Sequence, residues 1–251
     1  MENTIDNEKV HRVAELIKES KYTVVLTGAG VSTGLGIADF RTPGKGIWEK
    51  VDPFKVTSIT AFKENPQRFY HFYRPRIEIL SRVSPNPAHK AIARLEEMGY
   101  VKCLITQNID NLHQMGGAKN VIEYHGNSST LSCLWCGKRY KSEEKRDEYP
   151  PRCECQKILK PDVVFFGEAI PEYALNRSFQ LASSAQALMV VGTSAAVSPA
   201  NTIPTIAKQN GAKIIEINTE RTHLTDSLTD IFLQGGAGKV ISDLVEAVKG
   251  N

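Results

Sequence analysis

Four cysteines and one histidine carry the most definite chemistry in this sequence. Cys133-x-x-Cys136 and Cys153-x-Cys155 stand 16 residues apart, close to the spacing of a zinc site with four thiolate ligands. The second pair is one residue tighter than the usual Cys-x-x-Cys, which a tetrahedral ion accepts if the turn is sharp. Four thiolates fill the coordination shell and leave no position for water, so one structural Zn²⁺ is expected rather than a catalytic or redox centre. Cys103 lies inside an apolar run and reads as core. His125 follows the short apolar run 121–124 and precedes Gly126, a residue that lets ligand and backbone approach closely. An imidazole near its ordinary pKa is the natural general base at neutral pH. His113, after Asn111-Leu112, reads as structural.

A second group of residues offers nucleotide chemistry. The β-branched run 22–26 feeds directly into Gly28-Ala29-Gly30. A strand ending in Gly-x-Gly can bring backbone amides to a pyrophosphate at a helix N-terminus, although the glycines alone fit a tight turn in any α/β protein equally well. Gly34 and Gly36 follow, but the spacing is not that of the Rossmann fingerprint. No second strand ends in an acidic residue about 20 positions on, as a hydride-transferring dehydrogenase needs. Gly36-Ile37-Ala38-Asp39-Phe40-Arg41 instead sets an acid, an aromatic ring and a guanidinium in one loop, and such residues beside a phosphate site usually touch the ligand. Gln107-Asn108-Ile109-Asp110 emerges straight after the apolar run 101–105, at the carboxyl end of a strand, where open α/β sheets bind ligands. Its carboxamides and carboxylate can hold an amide and ribose hydroxyls. Helix capping by Asn108 or Asp110 is the alternative.

The elements that must position these groups follow from periodicity. Apolar runs of strand length lie at 22–26, 101–105, 121–124, 163–166, 187–191 and 213–217, and helix-like stretches lie at 8–19, 88–98, 171–182, 199–210 and 239–249. Strands alternating with helices predict an α/β fold, a Rossmann-like parallel sheet with helices on both faces. Two stretches interrupt the alternation: an aromatic-rich helical module over 48–83 and a cysteine-bearing zinc-binding module over 128–159. Together they are expected to form a smaller domain, with 1–47, 84–127 and 160–251 making a discontinuous Rossmann-like domain. Apolar content of 41% and charged content of 24% exclude disordered, collagen-like and coiled-coil classes. No apolar run is long enough to span a bilayer, and residues 1–8 are polar and acidic rather than signal-like, so no membrane role and a cytoplasmic location are expected. Four thiolates on Zn²⁺ would lower the formal charge of +3 to about +1. Lys138, Arg139, Lys141, Lys145 and Arg146 are nearly cancelled by Glu143, Glu144, Asp147 and Glu148, which disfavours a zinc-ribbon nucleic-acid adaptor and any obligatory nucleic acid.

Several blocks then occur in a fixed order. They are Gly28-Ala29-Gly30-Val31-Ser32 with Gly36-Ile37-Ala38-Asp39-Phe40-Arg41, Thr106-Gln107-Asn108-Ile109-Asp110-Asn111-Leu112-His113 and Tyr124-His125-Gly126-Asn127. After them come Lys160-Pro161-Asp162-Val163-Val164-Phe165-Phe166-Gly167-Glu168, Gly192-Thr193-Ser194 and Ile217-Asn218-Thr219. Over nearly the whole chain they resemble the sirtuin family of NAD-dependent protein-lysine deacylases, in its bacterial and archaeal form. Val31 and Ala38 stand where the family pattern has Ile and Pro, and the alanine removes a φ restraint from the loop. The resemblance implies that NAD is consumed as a co-substrate. The acyl oxygen of a modified lysine attacks the anomeric carbon of the nicotinamide ribose, nicotinamide leaves, and the acyl group ends on ADP-ribose. It further implies that His125 deprotonates a ribose hydroxyl, Asn108 orients the ribose or a water, Asp110 binds the nicotinamide amide and Phe40 shields the reactive carbon. The implied cofactor site comprises Gly28, Ala29, Gly30, Ser32, Asp39, Phe40 and Arg41, with Gln107, Asn108, Ile109 and Asp110, and with Gly192, Thr193, Ser194, Asn218, Thr219 and Ala237.

The implied substrates are acylated-lysine proteins or peptides. Val164, Phe165, Phe166, Gly167 and Glu168 are expected to pair with the peptide backbone, an instance of strand addition that reads little side-chain sequence. Tyr73 and Arg76, at the spacing Tyr-x-x-Arg, resemble the signature of the branch that removes succinyl and malonyl groups. A guanidinium can grip a distal carboxylate bidentately while the phenol donates a further hydrogen bond. The long segment Arg41-Thr42-Pro43-Gly44-Lys45-Gly46 resembles the deacetylase form instead, so dual activity is expected. ADP-ribosyl transfer from the same cofactor site stays open, and the chain is expected to be a monomer.

Overall fold

The computed structural model describes residues 6–33, 51–80 and 82–250. Its first half contains α1 (Asn7–Glu19), β1 (Thr23–Thr27), a 3-10 turn (Ala29–Val31), α2 (Pro53–Thr57), α3 (Ile59–Glu64), α4 (Pro66–Leu80), α5 (Pro87–Glu97), β2 (Val101–Thr106), α6 (Leu112–Met115) and β3 (Val121–Glu123). The second half contains β4 (Gly126–Ser132), β5 (Arg139–Lys141), β6 (Lys160–Val163), α7 (Glu172–Ser184), β7 (Ala187–Val191), α8 (Thr202–Gln209), β8 (Lys213–Asn218), α9 (His223–Ser227), β9 (Ile231–Gln234) and α10 (Ala237–Lys249).

Six strands form one parallel sheet in the order β3-β2-β1-β7-β8-β9. The chain lays down β1, β2 and β3 toward one edge and then returns to the other side of β1 for β7, β8 and β9. The direction therefore reverses between β1 and β7, and a crevice opens above their carboxyl ends. Side chains alternate across each strand. Val25, Leu104, Met189 and Ile215 face the layer of α1, α5 and α10. Val24, Leu26, Ile105, Leu188, Val190 and Ile214 face α7 and α8. In α1 the buried residues Val10, Val13, Ala14 and Ile17 recur at helical spacing, and Asp6 caps the helix by accepting the Lys9 amide at 3.1 Å.

The predicted α/β architecture is correct, with one strand misplaced. The run 163–166 does not belong to the parallel sheet. Its first residue ends β6, which pairs antiparallel with β4 in a separate sheet of order β5-β4-β6. Phe165 beyond it is buried against Phe62, Phe69, Tyr70 and Tyr73 of α3 and α4, so aromatic packing accounts for hydrophobicity that reads as a sheet strand. Three strands escape the sequence reading altogether, one of them β5, which is only three residues long. β9 is only four residues long, and β4 alternates serines and threonines with few apolar residues.

Candidate active site

The site is assembled from loops that leave the carboxyl ends of the strands. After β1 the chain makes the 3-10 turn, with the Gly28 amide donating to Val191 O at 3.1 Å and the Gly30 amide to Gly192 O at 2.8 Å. A Cβ on Gly30 would sit 2.7 Å from Gly192 O, so the glycine is needed for contact between two backbones. Both glycine amides thus tie the turn to β7. The segment carrying Gly34, Gly36, Ala38, Asp39, Phe40 and Arg41 lies outside the described residues, as does the expected boundary between 47 and 48.

After β2, the Gln107 amide donates to Thr27 O at 3.0 Å and its side chain to Thr193 Oγ1 at 3.1 Å. Asn108 is not the residue that caps α6, whose N-cap is Asn111, and its side-chain amide donates to Ser32 Oγ at 3.3 Å. Asp110 divides its oxygens: Oδ1 accepts the Leu112 amide at 3.0 Å at the start of α6, and Oδ2 accepts the Ser32 hydroxyl at 3.0 Å. Ser32 is fixed in turn by His89, a fully buried residue of α5 that the sequence reading missed. The His89 Nδ1 accepts the Asn86 amide at 3.2 Å, so in the neutral ring the proton is on Nε2, which donates to Ser32 Oγ at 3.2 Å. The available signal was Asn86-Pro87-x-His89, a helix start in which Asn86 and His89 cap each other.

His113 lies behind the same loop, its ring 4.7 Å from that of His89 and its Nε2 3.0 Å from Thr27 Oγ1. Burial, then the neighbouring His89, pushes the His113 ring down to about 3. Burial also lowers His89, against an opposing pull from Asp110. Both imidazoles are neutral at pH 7, consistent with a structural His113.

His125 emerges just beyond β3, after the fully buried Tyr124, and is itself half-buried. Its Nδ1 lies 3.1 Å from Gln107 O. A carbonyl can only accept, so Nδ1 carries the proton and the lone pair of the neutral ring is on Nε2. Gly126 adopts φ +75°, and a Cβ there would lie 2.1 Å from Asp162 O. Glycine is thus the residue that lets β4 start directly beneath the histidine. Asn127 braces the other side, its amide donating to Glu123 and to Asn111 Oδ1.

Farther along the crevice, Asn218 at the end of β8 donates to Thr193 O at 3.2 Å and accepts the Thr219 amide at 2.9 Å. Ser194 is exposed, and Ala237 opens α10 just past β9. On the opposite side, Tyr73 is buried and stacks on Phe69 with ring centres 4.9 Å apart. Ile109 packs on this aromatic cluster, which joins it to the Gln107–Asp110 loop. The Tyr73 hydroxyl and the Arg76 Nε are buried with no hydrogen-bond partner among the described residues. Arg76 also lies 3.5 Å above the Phe72 ring and donates to Phe72 O. The Val164 amide donates to His125 O at 2.8 Å and the Phe166 amide to Thr57 O at 3.1 Å, while Gly167 is exposed.

The four clustered cysteines converge as expected. Their sulfurs all lie within 4.8 Å of one another, with Cys133–Cys155 at 3.6 Å, Cys136–Cys153 at 3.4 Å and Cys136–Cys155 at 3.7 Å. A tetrahedral zinc with 2.3 Å bonds sets sulfurs about 3.8 Å apart, so the thiolates fit the ion. The tighter second pair closes because Gln156 takes a left-handed φ of +67°, the part Gly137 plays at +75° after the first pair.

Comparison with known proteins agrees with this geometry. The Sir2 family model matches residues 28–199, and the chain belongs to the Sir2 family, the sirtuins. An NAD-dependent protein deacylase of Pyrobaculum aerophilum is 44% identical over 94% of this chain and 95% of its own length. A Sir2 homologue solved in complex with NAD superposes with a TM-score of 0.88 at 41% identity, covering 95% of this chain and 93% of that one. A Sir2 protein holding a deacetylated peptide and 3'-O-acetyl-ADP-ribose superposes at 0.87 with 36% identity, covering 94% and 96%.

Two measurements test this arrangement. The folded pKa of His113 is below its unfolded value, so the unfolded chain binds more protons and stability falls as pH drops below about 6.5. Between pH 7 and pH 5 the wild type should lose about 2 kcal/mol more than His113→Gln in urea unfolding, and equal losses would contradict a neutral buried ring. Elemental analysis should find one zinc per chain. Cys155→Ser should lower both the metal content and the melting temperature, and unchanged metal content would refute ligation by all four thiolates.

Proposed function

We propose that this protein is an NAD-dependent protein-lysine deacylase that moves the acyl group from lysine to ADP-ribose and releases nicotinamide. His125 carries the reading: its Nδ1–H donates to Gln107 O, so the lone pair of the neutral ring is on Nε2, the nitrogen that takes the proton in this reading. Bound NAD supplies an electrophilic anomeric carbon and a leaving group. In this reading Gly28, Ala29, Gly30 and Ser32 cradle the phosphates, Asp39 and Arg41 belong to the same cofactor site, and Phe40 shields the reactive carbon. Asp110 holds the nicotinamide amide and Asn108 the ribose. Gly192, Thr193, Ser194, Asn218, Thr219 and Ala237 line the adenosine end. Cys133, Cys136, Cys153 and Cys155 hold zinc away from the reacting atoms.

For the acyl group, the reading extends to succinyl and malonyl as well as acetyl. The support is a pair of buried groups one helical turn apart, Tyr73 Oη and Arg76 Nε, with no hydrogen-bond partner among the described residues. Such groups are costly to leave unsatisfied, and a distal carboxylate would satisfy both. Burial lowers the pKa of Arg76 and raises that of Tyr73, as a site that strips water from a carboxylate would. An acetyl group reaches neither and leaves them as they are.

The test incubates the protein with NAD and matched acetyl-, succinyl- and fatty-acyl-lysine peptides, following peptide mass and nicotinamide. One nicotinamide should appear per acyl group lost. No loss from any peptide would overturn the deacylase reading, and NAD reduction by an added alcohol would indicate a dehydrogenase. His125→Ala should cut turnover by at least about a hundredfold with the fold intact. Arg76→Met should depress desuccinylation at least about tenfold more than deacetylation, and equal losses would remove the carboxylate-binding role.

A further inference from the structure

Lys160, the first residue of β6, is a buried cation that the proposed chemistry does not use. Each contact described for its ammonium is to the segment that follows it. Nζ donates to Pro161 O at 3.2 Å and to Val163 O at 2.8 Å, pairs with Glu168 Oε2 at 2.9 Å, and lies 4.0 Å from the centre of the Phe165 ring. The same Glu168 oxygen accepts the Phe165 amide at 2.7 Å. A buried ion pair is a poor source of stability compared with an apolar pair of similar volume, and its best-attested use is to specify one conformation.

That conformation is the bend over residues 160–168. With the ammonium at its centre, the Val164 amide meets His125 O, the Phe165 ring enters the aromatic cluster at 4.7 Å from Phe69, and Phe166 bridges Thr57 and Ile59 through its backbone. One cation therefore sets the segment expected to dock the peptide relative to both His125 and the aromatic cluster that holds Tyr73. Glu168 Oε2 is committed to this clamp by the ammonium and by the Phe165 amide.

We infer that Lys160 is a positioning residue for substrate docking: through Glu168 and the carbonyls of Pro161 and Val163 it holds residues 163–168 in the shape that receives an acyl-lysine peptide. This inference rests on the deacylase reading. Replacing Lys160 with Met leaves two carbonyls and a carboxylate without their cation, whereas Arg keeps charge and donors.

The test measures KM for an acetyl-lysine peptide and for NAD separately, together with amide exchange at Val164, Phe165 and Phe166. Lys160→Met should raise the peptide KM about tenfold or more while the NAD KM stays nearly constant. Exchange should accelerate at those three amides and stay slow in β2, and Lys160→Arg should recover most of the peptide affinity. Glu168→Gln should shift the peptide KM in the same direction, and it carries the test if Lys160→Met does not fold. Equal changes in both KM values, or unchanged exchange at the three amides, would overturn the positioning role. A wild-type protein without turnover counts against the deacylase reading instead, and the exchange comparison still reads the clamp.

Discussion

One residue past the strand ends, the backbone amide of Tyr124 donates to Thr106 O, Gln107 to Thr27 O, Gly28 to Val191 O, Gly192 to Ile217 O and Gly235 to Asn218 O, all at 2.9 to 3.1 Å. These five bonds are a last rung across the whole parallel sheet. Every loop of the site leaves from it, so His125, the Gln107–Asp110 segment, the glycine turn, Thr193 and Ala237 all start at one level. Parallel strands make this possible because all six end on the same side. The contact of Gly30 with Gly192 follows from the same rung, since neighbouring chains that leave at one height must pass each other without side chains between them.

Above the rung, polar side chains hold one another. The Ser32 hydroxyl accepts from His89 and Asn108 and donates to Asp110, so its orientation is determined by three partners. Buried networks of this kind are sound only when each member is satisfied. The burial that keeps His89 neutral preserves Nδ1 as the acceptor of the Asn86 amide while Nε2 donates to Ser32. A proton added to His89 Nδ1 would point at the Asn86 amide, itself a donor.

Much of this was legible in the sequence, and the exceptions have physical causes. The runs 101–105 and 187–191 are strands because residues buried on both faces read as continuous apolar runs. His125 is legible as a candidate base because it ends such a run beside a glycine. His89 is not, because its role depends on a turn brought against α5 from 57 residues away, and no local spacing reports that. The run 163–166 misled because hydrophobicity records burial without recording what does the burying. The glycine turn reads as a source of amides for a phosphate, and in the structure the Gly28 and Gly30 amides also donate to Val191 O and Gly192 O, where the missing side chains let two backbones touch. Capping and ligand binding were weighed as alternatives for Asp110, and its two oxygens have separate partners, one of them a helix start.

The small sheet has a further consequence when considered as a polymer loop. The chain leaves the large sheet at Gly126, directly after His125, and β6 brings it back at Val163, opposite Gly126, with the next amide bonded to His125 O. The entire cysteine-bearing excursion therefore has both ends fastened to one histidine. A metal that crosslinks the middle of such an excursion shortens the loop whose closure entropy opposes this juncture. Zinc thus steadies the histidine without approaching it, by reducing the number of ways the intervening chain could pull its two ends apart.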